Sequence, residues 1–345
     1  MTKPRIVTLG EVLLRLKPPG FERFLQSPAF EASFGGGEAN VSISLAILGL
    51  DTAFVTVLPA NPIADACVRF LRGYGVDTSL ILRQGDRMGI YYFEAGANQR
   101  SSQVIYDRRQ SAIAVATPQD FDWDRVLDGA SWFHFTGITA ALSQKAADIV
   151  VSAMQAARRS AVTISCDNSY RAKLWQYGKR VTEVMGDLVK HVDVLFANED
   201  DCALSFGVRL TDEEQRAAGG ANGRHEAVAR KMFLAYPNLK IQAITLRQAQ
   251  SASQNSWSAC LYNGKSLLTG PRYDISSIVE RVGTGDAFCA GLIYGLSTGM
   301  TDQNALDFAV SASCLKHSIP GDVNRATLFE IEHFLADGSP GRVQR

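Results

Sequence analysis

No run of apolar residues in this 345-residue chain reaches the length of a membrane span, and Met1-Thr2-Lys3-Pro4-Arg5 leads straight into a strand-like segment rather than a signal-type apolar region. The expectation is a soluble, cytoplasmic protein. Excess charge of one sign is missing too: 35 Lys and Arg balance 35 Asp and Glu, so there is no basic field for nucleic acid or an anionic membrane. A small molecule is the expected partner. The six cysteines (Cys67, Cys166, Cys202, Cys260, Cys289, Cys314) form no C-x-x-C pair, and several sit in apolar runs. That pattern favours reduced thiols over disulfides or a metal site. Of the five histidines, none has metal-ligand or triad spacing; His134, His191, His225, His317 and His333 read as structural, with His317, before the Pro320-Gly321 turn, the most open to another role. The first strand is not followed by G-x-G-x-x-G, which counts against a dinucleotide oxidoreductase. Neither an internal repeat nor a low-complexity tract is present.

What is present is a regular alternation of short apolar strands and helical stretches. Arg5–Glu11, Ala53–Leu58, Trp132–Phe135, Val162–Cys166, Val194–Ala197 and Ala243–Leu246 read as buried strands, and Pro62–Tyr74 and Gln144–Arg158 as helices. This is the signature of a parallel, doubly wound α/β sheet. Two stretches depart from it. Residues 12–37 contain the half-exposed Val12–Leu16, and residues 87–113 contain Gly89–Glu94 and Ser102–Arg108, which read as a hairpin. Together they are expected to form a small β-lid, leaving 1–11, 38–86 and 114–345 as the core. Tyr91, Tyr106 and Arg108 on the hairpin could cover a polar ligand; an ordinary half-exposed sheet face is the alternative. Residues 211–226, with three glycines, read as a flexible surface insertion.

Polar residues follow several strands immediately: Asp167-Asn168 with Arg171, Asn198-Glu199-Asp200-Asp201, and Arg247. Strand carboxyl ends are where ligands gather in such sheets, although each run would also serve as a helix cap. Gly35-Gly36-Gly37-Glu38-Ala39-Asn40 precedes a helix and is either a close approach to a ligand or a tight turn. The most telling stretch is Val282-Gly283-Thr284-Gly285-Asp286, running into the apolar Ala287–Leu296. Glycines opening a buried helix can turn successive N–H groups toward an anion, typically phosphate. A carboxylate in the first turn, Asp286, could then take the proton of a hydroxyl nucleophile. The alternative is a simple capping aspartate.

In this order, Gly35–Asn40, Asn198–Asp201 and Gly283–Asp286 resemble the signatures of ribokinase-like (PfkB-type) carbohydrate kinases over nearly the whole chain. Val7–Glu11, Leu16–Gly20, Tyr106 with Arg108, Asp167–Arg171 with Leu174-Trp175, and Lys316–Asp322 are most similar to the 2-keto-3-deoxygluconate kinase subgroup. The resemblance implies a three-layer ribokinase-like core with a mainly parallel sheet and a β-sheet lid, ATP as donor, Mg²⁺ as charge neutraliser, and transfer to the terminal (C6) hydroxyl of a sugar acid. It implies sugar contacts from Gly36, Asn40, Tyr91, Tyr106, Arg108 and Arg171, with the two arginines neutralising the carboxylate. Asn198, Thr245 and Arg247 match nucleotide-side positions. Gly283, Thr284 and Gly285 match an anion hole, Asp286 the catalytic base, and Asp201 a carboxylate linked to Mg²⁺ through water. Glu280-Arg281 stands where many relatives have Asp-Thr, and Arg247–Asn255 replaces a glycine-rich turn. The alternatives are a kinase for a neutral sugar such as fructose or ribose, or for a nucleoside, and a catalytically silent sugar-binding relative. The lid also offers an edge through which two copies could pair.

Overall fold

The computed structural model describes residues 3–337. Their strands are, in chain order, β1 (Arg5–Leu9), β2 (Leu13–Lys17), β3 (Glu31–Gly35), β4 (Asp51–Val55), β5 (Val57–Leu58), β6 (Leu82–Arg83), β7 (Ile90–Glu94), β8 (Gln103–Asp107), β9 (Trp132–Thr136), β10 (Thr163–Asp167), β11 (Val194–Phe196), β12 (Ile241–Ala249), β13 (Asn255–Tyr262), β14 (Leu267–Thr269) and β15 (Tyr273–Ile275). The main sheet has the order β14-β13-β12-β11-β10-β9-β1-β4, with β15 also paired to β13. From β4 to β12 every pairing is parallel; β13 then runs antiparallel to β12, β14 and β15. The parallel strands are buried along most of their length because helices cover both faces. Phe133, Phe135, Ile164 and Leu195 face the helix Gln144–Arg159 on one side. That helix buries Ala146, Ile149, Val150, Ala153, Met154 and Ala157, a stripe of helical period, and Ser143 caps it by accepting the Ala146 N–H at 3.0 Å. On the other side Trp132, Phe196 and Leu261 pack against the helices Gly37–Ile47, Thr284–Ser297 and Asp302–Lys316. The result is the three-layer α/β core expected of the sequence.

A separate four-stranded sheet has the order β3-β2-β7-β8, antiparallel at both ends and parallel between β2 and β7. Leu13, Tyr91 and Phe93 form its buried apolar cluster, whereas every residue of the edge strand β8 is exposed. Its strands lie within the two stretches that broke the strand–helix alternation. Among the described residues no helix is long and apolar enough to cross a membrane.

Three local readings change. Ala53–Leu58 is two strands: β4 stays in the main sheet, while β5 leaves it to pair with β6. β13 was not anticipated, because Ser256 and Ser258 interrupt its apolar pattern, yet all of its residues are buried between neighbouring strands. Residues 211–226 form helices, Asp212–Ala217 and the start of Ala221–Ala235, joined by Gly219 at φ +78°. Thr211 opens the first of these with a capping box to Glu214, so a helix start is encoded where the glycines suggested a loop.

Candidate active site

The helix Thr284–Ser297 starts at Gly283, which has φ +82°. A side chain at Gly283 would also collide with the protein, since a Cβ would lie 1.8 Å from the backbone oxygen of Asp322. Glycine is therefore required there twice over, and it lets the chain turn into the helix, where the Thr284 N–H reaches the Arg281 carbonyl at 3.4 Å and the N–H groups that follow point along the axis. At Gly285 a Cβ would meet nothing within 4 Å, because that position faces open space. The space is a cavity of about 1260 Å³ between the small sheet and the carboxyl ends of the main-sheet strands.

Asp286 lies on the wall of this cavity, and its Oδ2 accepts a hydrogen bond from Asn40 Nδ2 at 2.6 Å. Two residues singled out at opposite ends of the chain thus meet. Burial pushes the Asp286 carboxyl up to about 7; the Asn40 bond opposes this, while the carboxylates of Asp167, Asp322 and Glu38 add to it. A carboxyl at that level accepts a proton far more readily than an ordinary aspartate. Asn40 is buried in the helix that follows Gly36, and there a Cβ would lie 2.2 Å from the Glu11 carbonyl oxygen, so the chain can pass only as glycine. Beside it Glu38 is buried and accepts from the Thr136 N–H and from the hydroxyls of Thr136 and Thr139, at 2.6 to 3.0 Å. Those bonds fix the start of the helix against β9.

The small sheet supplies one wall with Tyr91, Tyr106 and Arg108. Their environments differ from the expectation of a cationic sugar-acid grip. Arg108 is buried and already paired with Glu11, its Nε lying 2.7 Å from Oε2, and it stacks over the Tyr106 ring at 5.4 Å. The other Glu11 oxygen is buried without a partner. Tyr91 is buried, and its hydroxyl donates to Asp322 at 2.5 Å. Arg171 is exposed on a loop at the opposite wall, its Nη1 donating to its neighbour's carbonyl, Tyr170 O, at 2.9 Å. Of the two arginines expected to neutralise the sugar carboxylate, Arg108 is therefore already neutralised by Glu11, and Arg171 remains in solvent. Of these two, Arg171 is the one that makes no ion pair among the described residues.

The remaining predicted residues line the same cavity: Asn198, Asp201, Thr245, Arg247 and the Gly283, Thr284, Gly285 turn. Asn198 and Asp201 form a capping box, with Asp201 N–H donating to Asn198 Oδ1 at 2.9 Å and Asp201 Oδ2 accepting Asn198 N–H at 3.2 Å. Asn168 Nδ2 donates to Asp201 Oδ1 at 3.0 Å. Structural capping and a cavity position coincide here. Asp167 adds a carboxyl that burial pushes up to about 6, against the pull of its bond to the Ser169 hydroxyl at 2.7 Å. Carboxylates from Asp167, Glu199, Asp200, Asp201 and Asp286 make an all-oxygen donor set around the cavity. Among the described residues no three such groups are close enough to hold an ion alone. That donor set suits Mg²⁺, which keeps waters and takes most ligands from a substrate's phosphates.

The description "pfkB family carbohydrate kinase" matches residues 3–231 and 256–326. The chain belongs to that family. It is 43% identical to a 2-dehydro-3-deoxygluconokinase from Thermotoga maritima, whose crystal structure superposes with a TM-score of 0.91 over 97% of this chain and 99% of that one. It is 29% identical to a 2-dehydro-3-deoxygalactonokinase of Haloferax volcanii, covering 97% of this chain and 98% of that one. A 2-dehydro-3-deoxygluconokinase of Thermoproteus tenax is 28% identical over 92% of this chain and 89% of its own. The protein is a carbohydrate kinase similar to 2-dehydro-3-deoxygluconokinases, and kinases of this family use ATP and Mg²⁺.

Several residues around the kinase site escaped the sequence reading. In the sequence Glu11 reads only as the end of a strand, and Glu38 only as part of a glycine turn. Arg281 lines the cavity beside Gly283, its guanidinium donating to the Ser251 carbonyl; burial and the nearby Arg247 lower its pKa. His225, read as a surface residue, lines the cavity too and lies 2.8 Å from Glu199. His317 is buried under the loop, its Nδ1 2.8 Å from Ser313 O, and burial pushes it down to about 4, as suits a structural histidine.

Proposed function

We propose that this kinase transfers the γ-phosphoryl group of ATP to the C6 hydroxyl of 2-keto-3-deoxygluconate, the compound also called 2-dehydro-3-deoxygluconate. The observation that carries the reading is Asp286, with its raised affinity for a proton, held by Asn40 at the mouth of an anion-binding helix start. In this mechanism the sugar acid lies between the small sheet and the core, with its carboxylate toward Arg171 and its C6 hydroxyl against Asp286. Asp286 takes the hydroxyl proton as the oxygen bonds to the γ-phosphorus in line, and the bond to the ADP oxygen breaks. The N–H groups after Gly283 hold charge on the moving group. Mg²⁺, when bound, neutralises phosphate charge, with Asp201 placed to reach it through water. Closure of the small sheet as a lid keeps water from competing as acceptor.

The names of the relatives support a sugar acid, and they divide between the gluconate and galactonate epimers. A substrate panel with purified protein, ATP and Mg²⁺ tests the reading. Turnover should favour 2-keto-3-deoxygluconate or its galactonate epimer over fructose and adenosine by at least ~10-fold, with phosphorus bonded to the C6 oxygen by NMR. Preference for a neutral sugar would overturn it. The exposed edge β8, with Ile105 53% exposed, is the surface through which two copies would add strand to strand. Sedimentation of Ile105→Lys against the parent protein tests this, an unchanged mass sinking the idea.

A further inference from the structure

A group of buried charges, with Asp322 on the cavity wall and Arg15, Glu280 and Lys316 behind it, takes no part in the mechanism above. Arg15, 2% exposed, leaves β2 and passes over the Phe93 ring at 4.7 Å. Its fork then divides. Nη2 meets Glu280 Oε2 at 2.5 Å, and Nη1 pairs with Asp322 Oδ1. The other Glu280 oxygen accepts the backbone N–H groups of Arg281 at 3.0 Å and Val282 at 3.2 Å, the two residues that lead into Gly283. Asp322 also accepts the Tyr91 hydroxyl from β7, and its backbone oxygen is the atom pressed against Gly283. Lys316 completes the group: its ammonium donates to Ile319 O at 2.9 Å, and its Cε would lie 3.3 Å from a Cβ on Gly283. Two cations face two carboxylates, so the charges cancel.

Stability alone gives little reason for such a group, since well-packed apolar residues of similar volume generally serve as well. Its distinction is what it joins. Two strands of the small sheet, β2 and β7, reach through Arg15 and Tyr91 to the two segments that shape the glycine turn. Neither Arg15 nor Glu280 lines the cavity. We propose that Arg15 is a positioning residue for phosphoryl transfer: through Glu280 and Asp322 it ties the seated small sheet to the backbone of the anion pocket. The turn then holds its catalytic geometry only while the sheet is over the cavity. This rests on the kinase reading of the site given above.

Two conservative variants test it. Arg15→Lys keeps the charge and loses the fork; Glu280→Gln keeps an acceptor for the turn's N–H groups and loses the charge facing Arg15. Each should lower kcat by about 10- to 100-fold, the scale of a small misplacement of reacting groups, with KM for ATP and sugar acid within about threefold of the parent. Because both cut one tie, the double variant should be no slower than the slower single. Amide hydrogen exchange at residues 281–285 should speed up in both, as the turn opens more often. Parent-like kcat in folded variants, losses confined to KM, or multiplicative losses in the double variant would overturn the proposal. If Arg15→Lys does not fold, Glu280→Gln decides alone. A parent protein inactive on every sugar acid would overturn the functional reading instead, and the exchange measurement, which needs no substrate, would still decide this one: unchanged rates overturn it.

Discussion

At the scale of single residues, the proposed chemistry falls on Asp286. Asp286→Asn keeps the volume and an acceptor for Asn40 but removes the base, so kcat should fall by at least ~10²-fold while nucleotide affinity stays near the parent value. Steady-state kinetics with calorimetric ADP binding measures both, and near-normal turnover would exclude the role. In the parent enzyme kcat/KM should rise with pH through an apparent pKa near 7, because the base acts ionised and its carboxyl sits at about 7. Stability should move the other way. The folded protein holds a proton that the unfolded chain, at the ordinary 3.8, has released, so stability is lost as pH rises from about 4 to 7. Asp286→Asn removes that burden and should melt at a higher temperature than the parent at pH 8, the gain vanishing near pH 4; a lower melting temperature at pH 8 would contradict the raised pKa. Arg171→Ala should raise the sugar-acid KM by about 10- to 100-fold, the worth of a charged hydrogen bond, and leave the ATP KM alone. Asp286 was legible in the sequence because an acid directly after G-x-G states its own context. Glu280 was not: its meaning lies in Arg15, 265 residues away, and no local pattern records such a pairing. The same holds for Arg108, whose partner Glu11 is 97 residues distant.

At the scale of elements, the helix Thr284–Ser297 is set by its contact with Asp302–Lys316. The two approach so closely that a Cβ at Gly291 would lie 2.7 Å from the Ala309 Cα, and one at Gly295 2.6 Å from the Ala305 Cβ. Gly291→Val should therefore cost about 1–3 kcal/mol or more, since backbone and not a flexible side chain must move. Chemical denaturation measures this, and kcat of the folded fraction should drop with it as the helix start shifts. Unchanged stability would mean the helices separate easily. Strands that are buried throughout and mostly apolar, such as β9 and β11, announced themselves in the sequence, because burial on both faces leaves a nearly continuous signal. β13 did not, since its serines are buried by neighbours that only the assembled sheet provides.

For the whole molecule, the alternation of strands and helices was enough to read a parallel, doubly wound α/β sheet, and the interruption of that alternation marked the small sheet. What the pattern could not supply was the order of strands across the sheet or the way the small sheet is fastened to the core. Those depend on contacts between segments remote in the chain. The hydrogen bond from Asn40 to Asp286 is one of them, spanning 246 residues. Its consequence is temporal. Helices form early in refolding, and contacts this remote wait for long loops to close. Circular dichroism should therefore recover ahead of phosphoryl transfer after dilution from denaturant, and simultaneous recovery would show that the two ends meet at the outset. The enzyme's own turnover would then serve as a clock for the last step of its assembly.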